Sequence, residues 1–162
     1  MKRLTLFFVL SLACAWAQAS SLTGQVVRVA DGDTITVLDS RHQQHRIRFL
    51  GIDAPERGQA YGNVCRQNLA DKIAGETVHV DYLKRDRYGR ITGTVYFEGR
   101  DINLEQLEDG CAWYYRYYAR DLSPDKQRAY DEAEQAARQA GLGLWQDPDP
   151  INPYDYRRSK RH

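Results

Sequence analysis

Three short stretches of this 162-residue chain carry carboxylates, two of them together with guanidinium groups, and a fourth is dense in aromatic rings. The first is Asp31-Gly32-Asp33-Thr34, a turn with two carboxylates separated by glycine. A calcium loop of the EF-hand type would need a third oxygen side chain and a glycine next, where Ile35 and Thr36 stand, so that geometry is excluded. Alone, the motif reads as an ordinary hairpin turn. The second runs from Arg48 through Ile52-Asp53-Ala54-Pro55-Glu56. Arg48 and Leu50 fall on one face of a strand, and Asp53 and Glu56 lie at its exit, where Pro55 pre-sets the turn. Two carboxylates beside a backbone carbonyl form an oxygen-rich corner suited to a hard cation, although exposed turn carboxylates are the plainer reading. In the third, Asp86-Arg87-Tyr88-Gly89-Arg90, a strand begins at Arg90 while Arg87 stays on the loop. A guanidinium is a planar fork matched to phosphate, although a charged hairpin tip would look the same. The fourth, Trp113-Tyr114-Tyr115-Arg116-Tyr117-Tyr118, offers rings on which bases could stack. Half of them are expected to fill core instead, Trp113 among them.

The elements that must position these residues are legible from patterning. Residues 22–29 and 34–38 are short runs rich in β-branched residues, joined by the Asp31-Gly32-Asp33 turn. Residues 45–52 alternate polar and apolar, which completes a three-stranded meander. Tyr61-Gly62-Asn63 opens a helix that Gly75 closes. Residues 77–83 and 90–97 are two further strands, and residues 103–108 a short helix. Residues 112–118 read as a brief extended segment. Ser123-Pro124 is a strong helix start, with Gly141 as the stop. Five strands with a helix after the third is the order of an OB-fold barrel, an α+β but mainly β architecture with about three helices. Such a barrel does not by itself fix function.

The ends and composition set further bounds. Lys2 and Arg3, an apolar run to Ala17 and the small-x-small site Ala17-Gln18-Ala19 have the three-part form of an export signal, and the run falls short of a membrane span. Residues 1–19 are therefore expected to be removed near Ala19, leaving a secreted or periplasmic monomer with no membrane segment. Residues 20–146 form one domain, and residues 147–162, with three prolines and several basic residues, read as a flexible tail. The whole chain carries 23 basic and 22 acidic residues; loss of Lys2 and Arg3 makes the remainder slightly acidic. Net charge thus gives no support for a nucleic-acid partner; the basic clusters at 41–48, 84–90 and 157–161, the first interleaved with the acidic residues of 31–56, suit a metal-plus-phosphate site, although a solvated face is the plainer reading of any one of them. Cys65 and Cys111 survive signal removal, and an even count in an exported protein favours a disulfide over two independent buried thiols.

Taken together, the order and spacing of these motifs, with the closing Gly143-Leu144-Trp145, strongly resemble the staphylococcal nuclease (thermonuclease) family from about residue 22 to residue 145. The resemblance implies that one calcium ion is held by Asp33, Asp53 and the backbone carbonyl of Ala54. It implies that Arg48 and Arg90 bind the reacting phosphate and that Glu56 orients or deprotonates the attacking water. Arg87, Tyr88 and Tyr118 match positions that touch substrate phosphates and base. DNA and RNA are the implied substrates, cut without sequence specificity to leave 3′-phosphate ends. Arg116 stands where an aromatic is expected in the substrate pocket, and residues 57–60 form a shorter loop than expected. Electrostatics agrees: hydrolysing a phosphodiester adds charge to an anion, which a divalent cation and two guanidinium groups offset as it grows.

Two other classes compete. A non-catalytic OB-fold module that only holds nucleic acid should have lost at least one of Asp33, Arg48, Asp53, Glu56 or Arg90, and all five are present. A calcium-binding structural protein leaves both arginines without a task. Digestion of plasmid DNA with and without a chelator separates the three.

Overall fold

The computed structural model describes residues 20–161; the export-signal segment lies outside them. Strands β1 (Ser20–Asp31), β2 (Thr34–Asp39) and β3 (Gln44–Phe49) form an antiparallel meander. After the short strand β4 (Ile52–Asp53) and helix α1 (Gly62–Ile73), β5 (Thr77–Arg85) pairs with the first half of β1 and β6 (Ile91–Phe97) pairs with β5. β3 and β6 then meet in parallel, Ile47 against Ile91, Arg48 against Thr92 and Phe49 against Gly93, which closes the five long strands into a barrel. Mainly sheet with several helices, the architecture is the OB-fold that the sequence implies.

Alternation explains the interior. Val26, Ile35, Val37, Ile47, Phe49, Val78, Val80, Ile91 and Val95 all point inward and are buried. Irregular pairing in β1 between Val26 and Arg28 and between Val29 and Asp31 bends that strand, so one element borders both β2 and β5. Gly93 at the seam cannot be replaced, since a β-carbon there would lie 2.5 Å from the Asp81 carbonyl oxygen.

A two-residue strand β7 (Arg100–Asp101) leads into helix α2 (Ile102–Glu108), capped by Asp101 accepting from the Leu104 amide. The extended segment expected at 112–118 shrinks to β8 (Trp113–Tyr114), paired with β4, followed by a 3-10 turn over Arg116–Asp121. Helix α3 (Pro124–Gln139) starts as expected on the Ser123 cap. Trp113 is only half-buried; its ring meets Trp145 edge-on at 4.4 Å and the Arg138 guanidinium at 4.7 Å. Residues 147–162, expected as a loose tail, contain helix α4 (Pro153–Ser159), capped by Asn152 and begun by Pro153. Where a bridge is suggested by the sequence, Cys65 and Cys111 stand as two buried thiols. The neighbouring Cys111 thiol and burial push the Cys65 thiol far up.

Candidate active site

The β1–β2 turn buries Asp33 almost completely. Asp31 Oδ1 accepts the Asp33 amide at 3.1 Å, an Asx turn that sets the loop. The Asp33 carboxylate accepts from Thr34 Oγ1 at 3.0 Å and from the Ala54 amide at 2.5 Å, so the first motif is tied directly to the second. Arg48 lies opposite Thr34 on β3 and sends its guanidinium across the strand ends. Nη1 reaches the Ile52 carbonyl at 2.9 Å and Asp33 Oδ2 at 2.9 Å, while Nη2 reaches Asp53 Oδ1 at 2.7 Å. Asp53 itself is 2 % exposed. Glu56, half-buried, follows at the turn, its amide held by Gln59 Oε1 at 2.9 Å. Gly62 closes this corner: a β-carbon there would lie 2.1 Å from the Glu56 carbonyl oxygen, so α1 packs against the Glu56 backbone only as glycine.

Burial pushes the Asp33 carboxyl well above the usual carboxylate range, against the pull of Arg48. Burial alone would lower Arg48, but Asp33 and Asp53 hold its charge more tightly than usual.

Arg90 sits immediately before β6, in line with Thr92, the partner of Arg48 across the seam. The seam therefore brings the two arginines, 42 positions apart in sequence, to one side of the barrel. Arg90 Nε bonds Asp86 Oδ2 at 2.7 Å, and Asp86 Oδ1 also accepts the Tyr88 and Arg90 amides, which fixes the hairpin tip. These donors hold the Asp86 carboxyl below its usual range although burial opposes them. Tyr88 is exposed and packs its ring under Arg87 at 4.8 Å and Arg90 at 5.5 Å. Tyr118 is exposed beneath Lys84 and forms a cluster with Tyr115 and Tyr117. Asp33, Arg48, Asp53, Ala54 and Glu56 are therefore one constellation; Arg90, Arg87, Tyr88 and Tyr118 make no bond to its carboxylates. Arg116 does not face it. It pairs with Glu134 and Asp131 on α3 and stacks on Tyr114.

Among the described residues no group of three or more histidine, cysteine, aspartate or glutamate side chains is arranged to hold a metal ion. The donors that could do so are fewer: the Asp33 and Asp53 carboxylates, drawn together by Arg48, with Ala54 beside them. All are oxygen donors and two are buried carboxylates, which fits a hard divalent cation completing its shell with water.

Several site residues give little sign of themselves in the sequence. Gln106 on α2 is fully buried and donates to the Gly32 carbonyl at 2.8 Å, holding the Asp33 turn from behind. Asn103, one helical turn earlier, bonds the Leu50 carbonyl, the Val95 amide and the Gly93 carbonyl, locking the exit of β3 to the seam. Buried Glu134 accepts the Tyr114 amide at 2.9 Å and so supports β8, the partner of the strand that carries Ile52 and Asp53. Tyr115 stands close enough to the pocket that burial and Asp53 push its phenol up. The least expected member is Arg157 on α4. Its Nη1 lies 2.7 Å from Glu56 Oε1 and 3.1 Å from Asp53 Oδ1, and its Nη2 lies 3.0 Å from Asp53 Oδ2. The only available signal was the basic cluster at 157–161, which does not say where it lands.

Residues 46–147 match the family described as staphylococcal nuclease homologue. An uncharacterized endonuclease of Escherichia coli is 44 % identical over 142 residues, 87 % of this chain and 88 % of the relative. A micrococcal nuclease of Shigella flexneri is 43 % identical over 157 residues, 91 % and 86 % respectively. An uncharacterized endonuclease of Haemophilus influenzae is 35 % identical over 158 residues, 98 % and 84 %.

Proposed function

The chain belongs to the staphylococcal nuclease family and is a nuclease, an endonuclease of the phosphodiester-hydrolase class; from that premise we propose that it cuts both DNA and RNA with calcium as its ion. The observation that supports this most is the constellation of Asp33, Arg48, Asp53 and Glu56 within a few ångströms at the barrel's rim. Calcium bound at Asp33, Asp53 and the Ala54 carbonyl would supply positive charge that offsets the charge developing on the phosphate oxygens. Arg48 and Arg90 orient the scissile phosphate and take up the same charge through paired N–H donors. Glu56 accepts a proton from the attacking water. The water oxygen bonds to phosphorus as the bond to the 5′ oxygen breaks, leaving a 3′-phosphate and a 5′-hydroxyl. Arg87, Tyr88 and Tyr118 hold neighbouring phosphates and stack on bases, contacts that carry little sequence information.

Plasmid DNA and RNA incubated with the protein should be degraded in calcium and spared in excess chelator. Undiminished cutting without divalent ions, or 5′-phosphate products, would refute this reading. Magnesium should support little activity, because it demands a stricter octahedral shell than two carboxylates and a carbonyl on loops provide. Glu56→Gln should cut turnover while leaving calcium affinity nearly unchanged.

We also propose that the protein is exported after loss of residues 1–19 and acts as a monomer, and that Cys65 and Cys111 become bonded in an oxidising compartment. The support is the export-type leader and the burial of both thiols, with Cys111 near enough to Cys65 to raise it. Non-reduced peptide mass analysis of material taken from that compartment should find the two cysteine peptides joined. Two alkylatable thiols would reject the bond.

A further inference from the structure

The match to the family ends at residue 147, yet residues 148–161 are firmly attached to the site. Gln59, in the loop after Glu56, donates to the Ile151 carbonyl at 2.7 Å, and Tyr156, Pro150 and Ile151 wall a small pocket shared with Pro55 and Tyr61. The segment is thus laid across the Glu56 loop, and α4 delivers Arg157 into the carboxylates. Both Asp53 oxygens and one Glu56 oxygen are engaged by that guanidinium, and Asp53 Oδ1 accepts from Arg48 as well.

We propose that Arg157 is a further residue of the active site, one that sets its metal affinity by competing with the divalent cation for Asp53 while it is paired with Glu56. The inference rests on the calcium reading given under Proposed function. The competition has two physical sources. A carboxylate whose oxygens all accept guanidinium N–H groups has lone pairs pointed away from a metal. A fixed positive charge a few ångströms from a divalent ion also repels it strongly where water is excluded. Arg157 keeps its charge throughout: burial alone would lower its pKa, but the hydrogen bonds to Asp53 and Glu56 raise it above the ordinary arginine value. The strap neutralises the carboxylates when calcium is scarce and lifts, or turns its guanidinium away, when calcium is bound.

Calorimetric titration of the mature protein with calcium tests this, comparing wild type with Arg157→Gln, Arg157→Lys and, as a control, Arg158→Gln, which removes a neighbouring cation that packs on Tyr154 instead. Arg157→Gln should bind calcium roughly tenfold tighter, Arg157→Lys should fall between it and wild type, and Arg158→Gln should match wild type. Trypsin cleavage of wild type after Arg157 and Arg158 should be faster with saturating calcium than in chelator. Calcium affinity unchanged or weakened in Arg157→Gln would overturn the proposal while leaving the calcium reading intact, since it would mean that Arg157 supports the metal-bound carboxylates or ignores them. Absence of calcium binding in all four proteins would overturn the calcium reading itself, and this inference with it.

Discussion

Replacing Arg48 by lysine is expected to lower kcat by about a hundredfold or more, with a far smaller change in KM. The guanidinium is used at both ends: one nitrogen spans the Ile52 carbonyl and Asp33, and the other holds Asp53. A lysine ammonium keeps the charge but is a point donor on a flexible stem, and it cannot bridge the two carboxylates while offering a phosphate the paired N–H donors of a planar fork. The loss therefore falls on charge that develops during reaction. Arg90→Lys should behave alike, because Arg90 is held by Asp86 and aligned with the seam strand. Arg87→Ala should chiefly raise KM, since Arg87 is exposed on the hairpin tip and contributes binding that is the same before and during bond breaking. Steady-state kinetics on the three variants decides the matter; lysine variants altered only in KM would show that the two arginines bind substrate without stabilising the transition state.

Glu134→Ala is expected to destabilise the fold by about 3 kcal/mol, a fall in Tm on the order of 10 °C for a chain of this size. The carboxylate is 2 % exposed and satisfies the Tyr114 amide, Arg116 and, more loosely, Arg138. Removing it strands a buried N–H and opens a void beneath α3. The two arginines are about half-exposed and regain water, which keeps the loss at the low end for a broken buried pair. Glu134→Gln retains an acceptor for the Tyr114 amide and should lose less. Thermal unfolding of both variants checks this, and an alanine variant that melts with wild type would show that β8 does not depend on α3. Because β8 pairs with the strand that carries Asp53, the alanine variant should also lose activity below its melting point.

The parts of the site that could be read from the sequence are those where chemistry is local. Asp33, Arg48, Asp53 and Glu56 sit in two motifs that are ordinary alone and specific only in their order and spacing with the others, and the barrel order follows from alternation and turn chemistry in the five strands. What stayed hidden depends on distant contacts. Arg157 meets Asp53 across 104 positions with no periodic pattern between them. Asn103 and Gln106 look like ordinary polar residues of a short helix, yet both face inward and hold the exit of the strand that carries Arg48 and the turn that carries Asp33. Arg116 departs from the pattern that the resemblance implies, and only the position of Glu134 explains why an arginine stands there. The tail misled because prolines and basic residues suggest disorder, whereas Asn152-Pro153 is also a helix cap followed by a proline at the first turn.

The parallel seam between β3 and β6 has a bearing on when the enzyme becomes dangerous. Its pairs join residues 44 positions apart, and parallel strands cannot zip from a shared hairpin. Contacts of this separation form late, after chain entropy over the whole intervening loop has been given up. Until that happens Arg90 has no fixed place beside Arg48, whatever the local motifs have already built. A chain that has left the ribosome but has not yet closed its barrel therefore carries every residue needed to cut nucleic acid and no assembled site with which to do so. Topology alone delays activity until the barrel has shut.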